Sequence, residues 1–121
     1  MKIERISDNR LDFTLTGKLD AERMRSLLDE FFEKSEGMEH GQMLYVIKDF
    51  EWPSLSALAV EMRYMPRLFG LISRIDRVAV LTDTDWIRKA ALIEGKLIPG
   101  ITIKDFDLDE HEKAEKWLAA G

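Results

Sequence analysis

The amino-acid sequence predicts an α/β fold in the order ββαβαβαβα, a mainly parallel sheet opened by an N-terminal antiparallel hairpin. Three observations carry this. Residues 11–19 alternate strictly between apolar and polar side chains, the period of a strand with one buried face. Residues 43–47 (Met-Leu-Tyr-Val-Ile) and 78–81 (Val-Ala-Val-Leu) are short continuous apolar runs, as interior parallel strands covered on both faces require. Between these runs the apolar residues recur at helical spacing, so strands and helices alternate as in crossover units.

The elements follow in order. Residues 2–6 make a short first strand, and Ser7-Asp8-Asn9-Arg10 supplies the turn chemistry that joins it to the second. In that second strand Leu11, Phe13, Leu15, Gly17 and Leu19 point one way, with Asp12, Thr14, Thr16 and Lys18 opposite. Asp20 is placed to cap a helix carrying Met24, Leu27, Leu28, Phe31 and Phe32, which Gly37 ends. After the strand at 43–47, residues 49–53 lead to a helix starting near Ser54. Two apolar sets share this helix. Leu55, Leu58, Ala59, Met62, Met65 and Phe69 form one stripe, whereas Ala57, Val60, Tyr64, Leu68 and Leu71 lie off it. Pro66 has no amide hydrogen, which predicts a kink or break near Met65 and a second helical piece running to about Ser73. The strand at 77–82 precedes Asp83-Thr84-Asp85, a cap and first-turn acids for a helix with Trp86, Ala90, Ile93 and Leu97. Pro99-Gly100 separates that helix from a strand at 101–106. Asp109 and Glu112 have capping-box spacing for a last helix that buries Ala114, Trp117 and Leu118.

With 121 residues the chain has the length of one domain, expected to span 1–121. A net charge of -5 argues against nucleic-acid binding, which depends on clustered Lys and Arg. The charge is unevenly spread: Arg63, Arg67, Arg74, Arg77, Arg88 and Lys89 make the middle basic between acidic flanks, a distribution able to guide one copy onto another. Cysteine is absent, which excludes disulfides, thiol nucleophiles and thiolate metal sites. The start of the chain lacks the apolar core of a signal peptide, and no apolar run approaches the roughly 18 residues of a spanning helix. A cytoplasmic location without membrane insertion is the expectation.

The segment Arg77-Val78-Ala79-Val80-Leu81-Thr82-Asp83-Thr84-Asp85-Trp86-Ile87 resembles the SpoIIAA-like branch of the STAS superfamily, in which such a strand ends in Asp and leads to a Trp-bearing helix. Ile98-Pro99-Gly100, Lys104-Asp105-Phe106, Ala114-Glu115-Lys116-Trp117-Leu118, Gly17 and Asp49 fit the same pattern. The resemblance implies a compact domain related to anti-sigma-factor antagonists and, in shape, to lipid-binding CRAL-TRIO domains. It also implies a phosphorylatable serine in an Asp-Ser-Ser-Gly-type loop at the start of the helix after strand three. Here that region reads Phe50-Glu51-Trp52-Pro53-Ser54-Leu55-Ser56-Ala57, without the motif, and Ser54 and Ser56 are the candidate switch or phosphorylation positions.

No catalytic constellation emerges. Asp20, Asp49 and Asp83 fall at carboxyl ends of strands, the edge where open parallel sheets bind ligands, but such positions also supply helix caps. Asp105, Asp107 and Asp109 imitate the opening of a calcium loop, yet Glu110 stands where Gly is needed and Lys116 where a bidentate Glu is needed. His40 and His111 have no partners at triad or zinc spacing and are expected on the surface. No enzyme, no cofactor and no metal is therefore expected. Trp52, in the loop before Pro53, and the set of Ala57, Val60, Tyr64 and Leu68 are the expected exposed contact surface. The function that follows is a non-enzymatic interaction or regulatory module, self-associating as a dimer through the helix after Ser54. The alternative is a carrier of a small apolar ligand or lipid, held among Leu58, Met62, Tyr64, Met65 and Phe69.

Overall fold

The structure, a computed structural model, describes residues 2–51, 53–89 and 100–120. Strand β1 (Lys2–Ser7) turns through Asp8-Asn9 into β2 (Arg10–Gly17), followed by α1 (Ala21–Lys34), β3 (Gly41–Phe50), α2 (Leu55–Ile72) and β4 (Ile75–Thr82). Residues 85–89 are helical, and the chain closes with β5 (Thr102–Phe106) and α3 (His111–Ala119). The sheet runs β1-β2-β3-β4-β5, antiparallel between β1 and β2 and parallel throughout the rest. Both the hairpin and the parallel sheet are as the sequence predicts.

Strand order follows chain order, so right-handed crossovers place each crossover helix on the same face of the sheet. Phe31 of α1, Leu71 of α2 and Ile87 accordingly share one core with Leu11, Phe13, Leu15, Met43, Val78 and Val80. The intervening residues Leu44, Ala79 and Leu81 point to the opposite face and pack with Phe106, Ala114 and Leu118 under α3. This two-sided burial explains the continuous apolar runs of β3 and β4. A third cluster, Leu19, Met24, Leu28, Ala57 and Val60, glues α1 to α2.

Local chemistry sets the helix ends. Asp20 accepts the Arg23 amide hydrogen at 2.8 Å, capping α1 as expected, and Gly37 turns the chain beyond it with φ +77°. Gly41 opens β3 wedged against the next layer: its amide donates to the Arg74 carbonyl at 2.7 Å, and a Cβ would stand 2.5 Å from the Met38 sulfur. The capping box expected at Asp109 and Glu112 does not form. Residues 107–110 turn first, Glu110 accepts the Asp107 amide hydrogen at 2.8 Å, and α3 starts without a side-chain cap. At its other end α3 is held from the sheet. The Trp117 carbonyl accepts from Arg77 and the Leu118 carbonyl from Gln42, both at 2.6 Å, which satisfies two of the free carbonyls at the negative end of the helix. Arg10 adds a fork onto Glu115 and bonds Asp12 at 2.6 Å.

The Glu115 carboxyl lies below its usual range because Arg10 hydrogen-bonds it. A lowered value means that folding favours the ionised form, so this contribution is present above the ordinary value near 4.5 and is lost as pH falls through the folded value.

The second helix departs from expectation in two ways. It runs unbroken from Leu55 to Ile72 with Pro66 inside. Pro66 is exposed and Met62, whose carbonyl loses its helical partner, is 70% exposed, so the break in the hydrogen-bond ladder lies on the outer side of the helix while core contacts on both sides of Pro66 hold it together. The other departure concerns which stripe faces inward. Ala57 and Val60 are buried at 0% and 3% exposure, and Tyr64 and Leu68 are half-buried against the core. The set expected to be the exposed surface is therefore the packed one.

Candidate functional site

The inversion leaves an apolar ridge on the outside of α2. Leu55 is 86% exposed, Leu58 38%, Met62 70% and Phe69 58%. Ala59 and Pro66 are exposed between them, and Met65 is half-buried at the edge. The inward side explains why the ridge points out. Small Ala57 and Val60 let α2 approach Leu28 and Met24 of α1, and Tyr64 donates to Asp29 across the same helix pair at 2.8 Å. Along one flank lie Arg63 and Arg67, the latter stacked 4.1 Å above the Phe32 ring and 5.6 Å from that of Tyr64.

Glu61 stands half-buried on the helix, and burial pushes its carboxyl above the usual range. Folding thus favours the neutral form: stability tied to Glu61 is full below the ordinary value near 4.5 and is lost as pH rises through the folded value. Glu61→Gln is expected to raise the urea midpoint at about pH 7 and to leave it unchanged at about pH 3.5. Equal effects at the two pH values would contradict this origin.

The other candidate residues scatter. Asp49, Asp83 and Asp20 are exposed, Asp20 as a cap and Asp49 with a left-handed φ of +52° near the end of β3, where the register against β2 shifts between Leu15 and Gly17. Asp83 only accepts the Thr84 hydroxyl at 3.4 Å, and it is the Thr84 carbonyl that receives the first helical amides. Among the described residues no group of His, Asp and Glu is placed to hold a metal ion. His40 is exposed beside Asp76 at 3.1 Å, and His111 lies 3.6 Å from Glu115. Trp52 lies outside the described residues.

Two depressions of about 380 and 430 Å³ mark the surface, one along Glu22, Arg23, Ser26, Leu27 and Glu30, the other between Phe32, Ser35, Glu36, Arg67 and Arg74. Both open to solvent and carry charged walls, unlike the enclosed apolar space a lipid carrier needs. Among the described residues no helix is long and apolar enough to cross a membrane.

The pattern of the SpoIIAA-like family matches residues 10–119, nearly the whole chain. The protein belongs to the SpoIIAA-like family. A solved structure with the same fold, of an uncharacterised protein from Shewanella loihica PV-4, is similar to it with a TM-score of 0.74 at 23% identity, covering 97% of this chain and 90% of that one. This likeness speaks for the fold. None of the curated proteins matches the chain.

In this SpoIIAA-like chain the candidate switch position is occupied by two serine hydroxyls, Ser54 and Ser56, 3.0 Å apart. Ser54 accepts the Ala57 amide hydrogen at 3.1 Å and so caps α2, whose first turn holds no acid. Ser54→Ala is expected to cost about 1 kcal/mol, read as a fall in melting temperature of roughly 3–5 °C. Ser54→Asp, which caps equally well, should restore it. No change in the alanine variant would remove the cap from the account.

Proposed function

We propose that this SpoIIAA-like protein is a non-enzymatic interaction module, residues 1–121 acting as one domain, that self-associates through the outward ridge of α2. The observation that supports this reading most is the exposure of Leu55, Leu58, Met62 and Phe69 on one continuous helix face. A contiguous apolar patch of this kind on a small domain marks a contact site. Sedimentation equilibrium from low to high micromolar concentration tests the reading. The expected result is a mass that rises with concentration from the 14.0 kDa monomer toward twice that value. A strict monomer at high micromolar concentration would overturn it.

A further inference from the structure

Resting on the self-association reading, we propose that two copies pair α2 against α2 in antiparallel orientation, with Met62 at the two-fold axis. Spacing is the first argument. Leu55, Leu58, Met62, Met65 and Phe69 follow one another at intervals of 3, 4, 3 and 4 residues, the seam on which one helix packs along another. The inward stripe has the same mean spacing, but it is already used by α1 and the sheet, which leaves the outer one free. The ridge is thus built to receive a helix.

The second argument is that the ridge complements its own reverse. In an antiparallel pair centred on Met62, residues equally far from it on opposite sides come to the same level. Leu55 then meets the partner's Phe69, Leu58 meets the partner's Pro66, and Ala59 meets the partner's Met65. Each level is apolar, and small Ala59 faces the long Met65. Parallel pairing would instead set Ala59 on Ala59 and Met65 on Met65, leaving a gap at one level and crowding at the next. It would also align the two helix dipoles, which antiparallel packing opposes. Arg63 falls at the rim, where solvent screens it.

Area supplies the third argument. The exposed fractions of Leu55, Leu58, Met62 and Phe69 together amount to about two and a half whole side chains, roughly 450 Å² at about 180 Å² each. A dimer of ordinary size buries about 800 Å² per partner, some 65% of it apolar, or about 500 Å². The ridge therefore supplies most of the apolar area that a stable pair needs, and the flanking Ala59 and Pro66, also exposed, lie within the same contact.

The chain's lack of cysteine makes a direct test possible. Single variants Met62→Cys, Leu55→Cys and Phe69→Cys, all at exposed positions outside the core, are treated with a short thiol-specific cross-linker after circular dichroism confirms the fold. Met62→Cys should give a covalent dimer in high yield. Leu55→Cys alone should not, because its two copies lie about 21 Å apart along the helix axis, whereas a mixture with Phe69→Cys should, because each Leu55 position is level with the partner's Phe69. Efficient linking by Leu55→Cys alone would establish parallel pairing and overturn the proposal. Absence of any link in a protein that sediments as a dimer would place the contact elsewhere and overturn it while leaving self-association intact. Absence of links in a strict monomer would end both.

Discussion

Met62→Glu is expected to keep the protein monomeric at concentrations where the wild type pairs, while leaving its melting temperature within about 2 °C of wild type. The side chain is 70% exposed in the middle of α2 and has no place in any core cluster. Glutamate has nearly the helix propensity of methionine, so the monomer loses little. In the pair the consequence is different. Two carboxylates would meet at the two-fold axis inside an apolar contact, and like-charge juxtaposition of this kind costs several kcal/mol. Association should weaken by at least about 100-fold. Unchanged association would show that Met62 is not at the contact.

The largest effect on folding is expected at Leu118. This side chain is fully buried and packs with Leu44, Ala79, Leu81 and Phe106. Leu118→Ala removes those contacts and leaves a cavity that the sheet is too stiff to fill, at a cost of about 2–5 kcal/mol. Against a total stability of about 5–15 kcal/mol, that is a substantial share. The position concentrates the effect, because α3 is the cover that buries this cluster. If α3 loosens, Arg77 and Gln42 also lose the carbonyls of Trp117 and Leu118. Urea unfolding should show a lower midpoint with an unchanged slope. A loss below about 1 kcal/mol would mean that α3 contributes little to the core.

Much of the fold was legible because two periods dominate the sequence. The alternation from Leu11 to Leu19 predicts which side of β2 is buried, and Leu11, Phe13, Leu15 and Leu19 are all buried. The unbroken runs in β3 and β4 predict burial on both faces, supplied by α1 and α2 on one side and α3 on the other. Asp20 and Ser54 were readable as caps because a short polar side chain before an apolar helical period has few other uses.

The orientation of α2 was not legible in the same way. Both of its stripes are apolar, and hydrophobicity alone does not choose between them. The choice is made by volume: Ala57 and Val60 are small enough for α2 to lie close against Met24 and Leu28, and Leu55, Leu58 and Met62 are not. Leu55 was part of the recognised stripe but not of the expected contact surface, and it is the most exposed of the large apolar residues. Spacing does not separate the two either, since both stripes step at intervals of 3 and 4 residues. Pro66 misled for a related reason. A proline breaks a helix when the freed carbonyl is buried, and here that carbonyl belongs to solvent-facing Met62.

The claim that α2 is a two-sided helix, one face for the core and one for a second copy, is tested most directly by amide chemical shifts followed as a function of protein concentration. Shift changes are expected to concentrate on α2, largest near Met62 and extending to Leu55 and Phe69, with the sheet and α3 unmoved. Changes centred on β1, β5 or α3, or spectra that do not vary up to high micromolar concentration, would contradict it.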